Sequence, residues 1–172
     1  MSVKEKLMEL AQGQDFVTYE VKDKDKAFLE IAQIMSKLSP CNRAKVGAVI
    51  VKGDVPIISS FNGIARKQSG LCGGNCCLRD KEQIPSGSQS QVGCHHAETN
   101  AIANAAKNGI STDGCSIYVT APPCLMCAKL IHHAGIKAVY YEIKSTRWIS
   151  TGEDYLRSAG VSLHAIGDAL SS

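Results

Sequence analysis

Apolar positions along this chain alternate between two spacings, and each change of spacing marks an element. From Asp25, a residue suited to capping, Phe28, Ile31, Ala32, Met35 and Leu38 recur at helical spacing. Ser39-Pro40 stops that helix. Residues 46–51 form an unbroken apolar run of strand length. Gly53-Asp54 then turns the chain, and Pro56-Ile57-Ile58-Ser59-Ser60-Phe61 returns as a hairpin partner. Pro56 has no amide hydrogen for a ladder, so this second strand is expected at a sheet edge. Further on, the pattern predicts a helix over 97–108, a strand over 115–120 and a helix over 124–133. A strand over 137–142, a helix over 152–159 and a strand over 161–166 follow. Strands alternating with helices imply parallel pairing through right-handed crossovers. The opening hairpin makes the sheet mixed, within an α/β fold.

Residues 63–95 break the pattern: they are rich in Gly, Ser and Cys and show no periodicity. A structureless loop of that length is usually functional or pinned by a metal. Residues 1–22 are mixed and charged and are expected to be a peripheral extension. The 172 residues suit one domain, with no internal repeat. Met1-Ser2-Val3-Lys4-Glu5-Lys6 mixes charges where a signal peptide needs apolar residues, and no apolar run approaches the ~18 residues of a membrane span. A cytoplasmic protein with no membrane contact is expected, and its eight cysteines should then bind metal or stay reduced. The net charge of +3 suits a small anionic substrate and lacks the dense basic patch of a nucleic-acid binder. Only 5% of residues are aromatic, which argues against a base-stacking platform.

Candidate chemistry concentrates in His96-Ala97-Glu98 and Pro123-Cys124-Leu125-Met126-Cys127. One imidazole and two thiolates can hold a catalytic zinc, whose fourth position is left to water. Glu98 need not bind the metal and can carry protons between that water and a substrate nitrogen. An HxE followed by PCxxC is the signature of nucleobase deaminases, far more specific than a lone CxxC. Both halves are predicted to open helices, where the dipole depresses thiol pKa values. Taken singly, His96 reads as a satisfied core or surface histidine and Glu98 as a dipole-favoured carboxylate; together they read as a site. In or near the loop, Cys41, Cys72, Cys76, Cys77 and Cys94 accompany a segment with no core of its own, which a four-thiolate zinc would order. Cys115, at a strand start, reads as a small buried hydrophobe.

At these residues the chain resembles the deoxycytidylate deaminases of the zinc-dependent cytidine deaminase superfamily. The resemblance is carried by the PCLMC motif and its continuation to Ala134-Gly135-Ile136-Lys137-Ala138-Val139-Tyr140. It is also carried by Ser39-Pro40-Cys41-Asn42-Arg43, by Lys45-Val46-Gly47-Ala48-Val49, by Phe61-Asn62-Gly63 and by His96-Ala97-Glu98-Thr99-Asn100. It implies a three-layer α/β/α fold around a five-stranded mixed sheet. The implied reaction is hydrolysis of dCMP to dUMP and ammonia, supplying dUMP for thymidylate synthesis, in a homo-oligomer, commonly a hexamer. His96, Cys124 and Cys127 would hold the catalytic zinc and Glu98 would be the proton shuttle. Asn62 would contact the deoxyribose, and Ala97 is counted with the substrate contacts; Asn62-Gly63 also suits a turn. A second, structural zinc is implied at Cys41, Cys72, Cys77 and Cys94, with Cys76 or His95 as substitutes.

A 5′-phosphate needs a charge-assisted clamp. Arg43 and Lys45 are the preferred candidates, then Arg66 and Lys67, each weighed against an ordinary solvated role. Two positions depart from the resemblance. Lys144 stands where an aromatic residue usually packs on the pyrimidine, with Tyr141 or Trp148 able to serve. Ser60-Phe61-Asn62-Gly63 replaces the Gly-Tyr-Asn-Gly of regulated enzymes, which leaves control by dCTP with magnesium, and by dTTP, open. The alternatives are a deaminase of dCTP, of modified dCMP or of tRNA adenosine, the last sharing a Met at the position of Met126. A non-catalytic zinc module is a further one, against which the intact Glu98 stands.

Overall fold

A helix laid on a hairpin begins the part of the chain described by the computed structural model, which comprises residues 23–64, 72–73, 76–85, 92–143 and 152–167. Helix α1 is Asp23–Ser36, strand β1 is Gly47–Lys52 and strand β2 is Val55–Phe61. Two short strands, β3 (Cys72–Gly73) and β4 (Cys76–Cys77), and a helical turn, α2 (Leu78–Lys81), follow. Then come α3 (Ala97–Lys107), β5 (Ser116–Val119), α4 (Leu125–His133), β6 (Ala138–Glu142), α5 (Gly152–Ser158) and β7 (Ser162–Ile166).

The main sheet has five strands in the order β2-β1-β5-β6-β7. β1 runs antiparallel to both β2 and β5, while β5, β6 and β7 are mutually parallel, so the sheet is mixed as the hairpin requires. Pro56 lies on edge strand β2, where a missing donor is tolerated. The register passes from Ile50↔Ile58 to Val51↔Pro56, a bulge that spoils this edge for further pairing.

Residues 47–51 are buried without alternation because both faces of β1 are covered. On one face, Phe28 and Ala32 of α1 pack on Val49, Val51 and Tyr118. Ala32 and Ser36 come so close to Gly47 that a Cβ there would meet α1 backbone. On the other face, Ala97, Ala101, Ala128, Ile131 and Leu156 of α3, α4 and α5 join Ile50, Ile117, Val119 and Val139. The result is the α/β/α layering expected above. Cys115 is fully buried, as its reading as a small hydrophobe requires.

Three local expectations change. Asp25 does not cap α1; it lies inside the helix, buried, and its carboxylate accepts a 2.6 Å hydrogen bond from the Tyr118 hydroxyl. Leu38 is 61% exposed, because the helix ends at Ser36 and the chain tightens through Lys37 N–H to Ile34 O and Leu38 N–H to Met35 O bonds. The 63–95 stretch is not structureless: β3, β4 and α2 lie within it. Residues 1–22, Arg66, Lys67, Lys144 and Trp148 lie outside the described residues. Among those described, no helix is long and apolar enough to cross a membrane.

Candidate active site

His96 and Cys124 occupy equivalent positions: each is the N-cap of its helix, with extended backbone (φ −73°, ψ 157° and φ −70°, ψ 167°). Their carbonyls accept the first helical bonds, from Asn100 N–H at 3.0 Å and Ala128 N–H at 2.8 Å. Neither side chain makes a capping bond. A cap is ordinarily Ser, Thr, Asp or Asn, whose oxygen turns back on the helix; here the cap side chains are directed at each other. Cys124 Sγ lies 3.5 Å and Cys127 Sγ 3.4 Å from His96 Nδ1. The three ligand atoms all fall within 4.8 Å of one another, the one such group among the described residues.

That spacing fits zinc. Bonds of about 2.0–2.1 Å to nitrogen and 2.3 Å to sulfur subtend a tetrahedral N···S edge of about 3.6 Å. The protonation pattern fits as well. The thiols share a proton: the hydrogen bond with Cys127 draws Cys124 down to about 4, and the same bond together with burial drives Cys127 far up. A divalent cation held by the three side chains would take the place of that proton. His96 is raised by its bond to Cys124, against burial, which lowers it.

Glu98 is the second residue of α3, and 4% of it is exposed. Burial pushes its carboxyl above the ordinary range, while His96 and its own backbone N–H pull it down. An acid buried beside a metal site and raised toward neutrality can both take and return a proton.

Neighbouring strands hold these helix ends in place. Ser60 Oγ donates to Ala97 O at 2.6 Å, and Asn100 Nδ2 to Phe61 O at 2.8 Å, fastening α3 to the end of β2. Thr99 Oγ1 lies 4.0 Å from Cys127 Sγ. Gly152, at the start of α5, faces the backbone of Pro123 and Cys124 so closely that a Cβ would clash. Sequence reasoning missed Ser60, Thr99 and Gly152. Thr99 alone left a signal, adjoining Glu98 in the first turn of a predicted helix.

A cavity of about 200 Å³ opens at the carboxyl ends of β5 and β6, lined by Ala44, Lys45, Val46, Thr120, Ala121, Pro122 and Glu142. Asn62, 6% exposed, shapes its wall: Oδ1 accepts Val46 N–H at 2.8 Å and Nδ2 donates to Ala44 O at 2.9 Å. Arg43 Nη1 pairs with Asp80 Oδ1 of α2 at 3.1 Å, and Lys45 is exposed. Ala97 is fully buried. Of the second cysteine set, Cys41 and Cys77 are buried and Cys94 half-buried. Cys41 Sγ accepts Ala44 N–H at 3.4 Å, Cys94 Sγ lies 4.0 Å from Asn62 Nδ2, and His95 bridges Gly63. Cys72 pairs with Cys77 through the backbone; the side chains of Cys72 and Cys76 lie outside the described atoms.

A His-Cys-Cys site with a buried carboxylate, set on helix ends above an α/β/α sheet, defines a zinc-dependent deaminase. The family model for the cytidine and deoxycytidylate deaminase zinc-binding region matches residues 22–143, and the chain belongs to that family. Deoxycytidylate deaminase of Enterobacteria phage T4 is 33% identical over 168 residues, covering 77% of this chain and 84% of the phage protein. ComE operon protein 2 of Bacillus subtilis is 37% identical over 115 residues, covering 66% of this chain and 56% of that protein. The crystal structure of dCMP deaminase from the cyanophage S-TIM5, in complex with dCMP and dUMP, is similar at a TM-score of 0.69 and 31% identity. It covers 86% of this chain and 100% of that one.

Proposed function

We propose that this protein hydrolyses dCMP to dUMP and ammonia. The observation that carries the reading is the buried Glu98 beside the His96, Cys124 and Cys127 ligand set. The likeness to deaminases of phage T4 and cyanophage S-TIM5 supports the choice of nucleotide. Bound by these three ligands, zinc supplies the Lewis acidity that brings a water's pKa to about 7. Glu98 takes one proton of the attacking water and delivers it to N3 of the pyrimidine, then takes the remaining proton of the C4 hydroxyl and passes it to the amine as the C4–N bond breaks and the C4 carbonyl forms. The cavity beside Pro122 would receive the nucleotide, with Arg43 and Lys45 holding its phosphate. Asn62, both ends of whose amide bond to the backbone of Val46 and Ala44 behind the cavity, would contact the sugar. Ala97 has no exposed side chain, so its contribution is its backbone N–H, one of the unsatisfied donors of the first helical turn.

The structural zinc belongs to the same proposal, at Cys41, Cys72, Cys77 and Cys94. The β3–β4 pairing that sets Cys72 opposite Cys77 supports it, whereas Cys41, Cys77 and Cys94 do not come together as a ligand group among the described residues. Elemental analysis should find about two zincs per chain, falling to one in Cys77→Ser; one zinc in both proteins would remove the second site. A hexamer, with dCTP–magnesium and dTTP as effectors, rests on the resemblance of motifs. Sedimentation with and without each nucleotide tests it.

Ammonia release from dCMP, deoxycytidine, CMP and dCTP tests the activity. dCMP should be preferred to deoxycytidine by on the order of 10²–10⁴ in kcat/KM, from two charge-assisted bonds of about 1.5–3 kcal/mol each. Equal use of the two would overturn the nucleotide reading, and inertness of the zinc-loaded protein toward all four would overturn the deaminase.

A further inference from the structure

We propose that Thr120, the residue following β5, is a substrate contact that donates its hydroxyl hydrogen to the 3′-hydroxyl of the bound deoxyribose. The inference rests on the reading of this protein as a dCMP deaminase and deepens it by naming a residue that reads the sugar.

Thr120 is only 4% exposed, yet it lines the cavity. Its Oγ1 accepts the Gly47 N–H at 3.1 Å, and its own N–H donates to Gly47 O at 3.1 Å. Bonds from both its backbone and its side chain to one residue of β1 hold the hydroxyl oxygen in place. A threonine hydroxyl carries a donor as well as its lone pairs. Gly47 takes up a lone pair, so the hydrogen still needs an acceptor, and among the described residues it has none. Buried polar groups are seldom left in that state. The open space beside this hydroxyl is the cavity, so its acceptor belongs to whatever fills the cavity.

The walls decide which atom of the nucleotide that is. The metal ligands and Glu98, which must face the base, do not line the cavity, so the sugar and its phosphate are left to occupy it. Glu142 lines the same cavity, its Oε1 accepting Gln33 Nε2 at 3.2 Å, and a carboxylate repels a phosphate dianion brought close to it. Lys45 is exposed and suits a phosphate at the mouth. An uncharged hydroxyl meets no such repulsion further in. The deoxyribose of dCMP has a single free hydroxyl, at C3′, because C2′ carries none and the 5′ oxygen is esterified. That oxygen is the acceptor assigned to Thr120.

The test compares kcat/KM of the zinc-replete full chain for dCMP and for 2′,3′-dideoxycytidine 5′-monophosphate, which lacks only the 3′-hydroxyl. Thr120→Val keeps the shape and removes the donor. It should narrow the preference for dCMP about 3- to 10-fold, the range of one neutral hydrogen bond. Taking the ratio within one protein cancels any loss of folded enzyme from the Gly47 bond, which valine also breaks. Thr120→Ser keeps the hydroxyl and should hold the preference within about twofold of the parent. If Thr120→Val does not fold, Thr120→Cys makes the same comparison, since a thiol can still accept the Gly47 N–H but donates weakly. An unchanged ratio in the variant lacking the donor overturns the proposal and leaves the hydroxyl to a cavity water. A parent that uses both nucleotides equally well overturns it too. Equal use of dCMP and deoxycytidine by the parent sinks the nucleotide reading instead, and the 3′-hydroxyl contact is then read on deoxycytidine against 2′,3′-dideoxycytidine.

Discussion

In the proposed reaction Glu98 acts from inside the protein, and that location explains its value as a proton carrier. A carboxyl in water is almost fully ionised at neutral pH and returns protons poorly; burial pushes the Glu98 carboxyl above the ordinary carboxylate range, which strengthens its hold on a proton. Glu98→Gln keeps the size and leaves the ligands untouched while removing the exchangeable proton. It should retain zinc and fold while losing at least ~10²-fold in kcat. Zinc content and single-turnover rate check this, and near-normal turnover in a zinc-replete variant would take Glu98 out of the mechanism. At this scale the sequence was most legible where chemistry fixes spacing. One residue between His96 and Glu98, and two between Cys124 and Cys127, are enough to bring the groups onto adjoining helix starts. Asp25 was misread because its partner is Tyr118, on a strand 93 residues away; nothing local separates a capping aspartate from one that bonds across the core.

Among elements, the helices were legible and their supports were not. Apolar spacing placed α3, α4 and α5 to within a residue or so, since each lays one stripe on the sheet. The role of Gly152 depended on a close approach between two elements, which no periodicity records. Its α-carbon faces the carbonyls of Pro123 and Cys124, so Gly152→Ala must displace the chain that delivers a metal ligand. A loss of at least about 1–3 kcal/mol is expected from such overpacking, with faster zinc loss to a chelator. Thermal denaturation and chelator kinetics check both, and a variant matching the parent in each would show that the contact relaxes freely. β3, β4 and α2 were invisible because two-residue strands and a one-turn helix are too short to show a period.

The whole molecule divides at the sheet. One face carries α3, α4 and α5, with the metal ligands at the starts of α3 and α4; the other carries α1 and a row of rings running across the strands. Tyr118 stacks on Tyr140 with centroids 4.4 Å apart, and Tyr140 on His164 at 4.5 Å. Burial holds the His164 imidazole below its usual value, with Asp25 pulling weakly the other way. The unfolded chain therefore binds this proton more readily than the folded one. The stability involved is fully present above the unfolded value of about 6.5 and drains away as pH falls through the lower folded value. His164→Gln should flatten the decline in Tm between about pH 7.5 and 5.5. An identical slope in parent and variant would show that this histidine is not linked to folding.

The ligands and the proton carrier all fall within residues 96–127, whereas the cavity is walled by 44–46, 120–122 and 142 and shaped by Asn62. On the proposed reading, reactivity therefore sits in one contiguous block, and selectivity is scattered over separate segments. A lineage carrying this architecture can change which molecule it accepts by altering one wall at a time, while the bond it breaks stays the same.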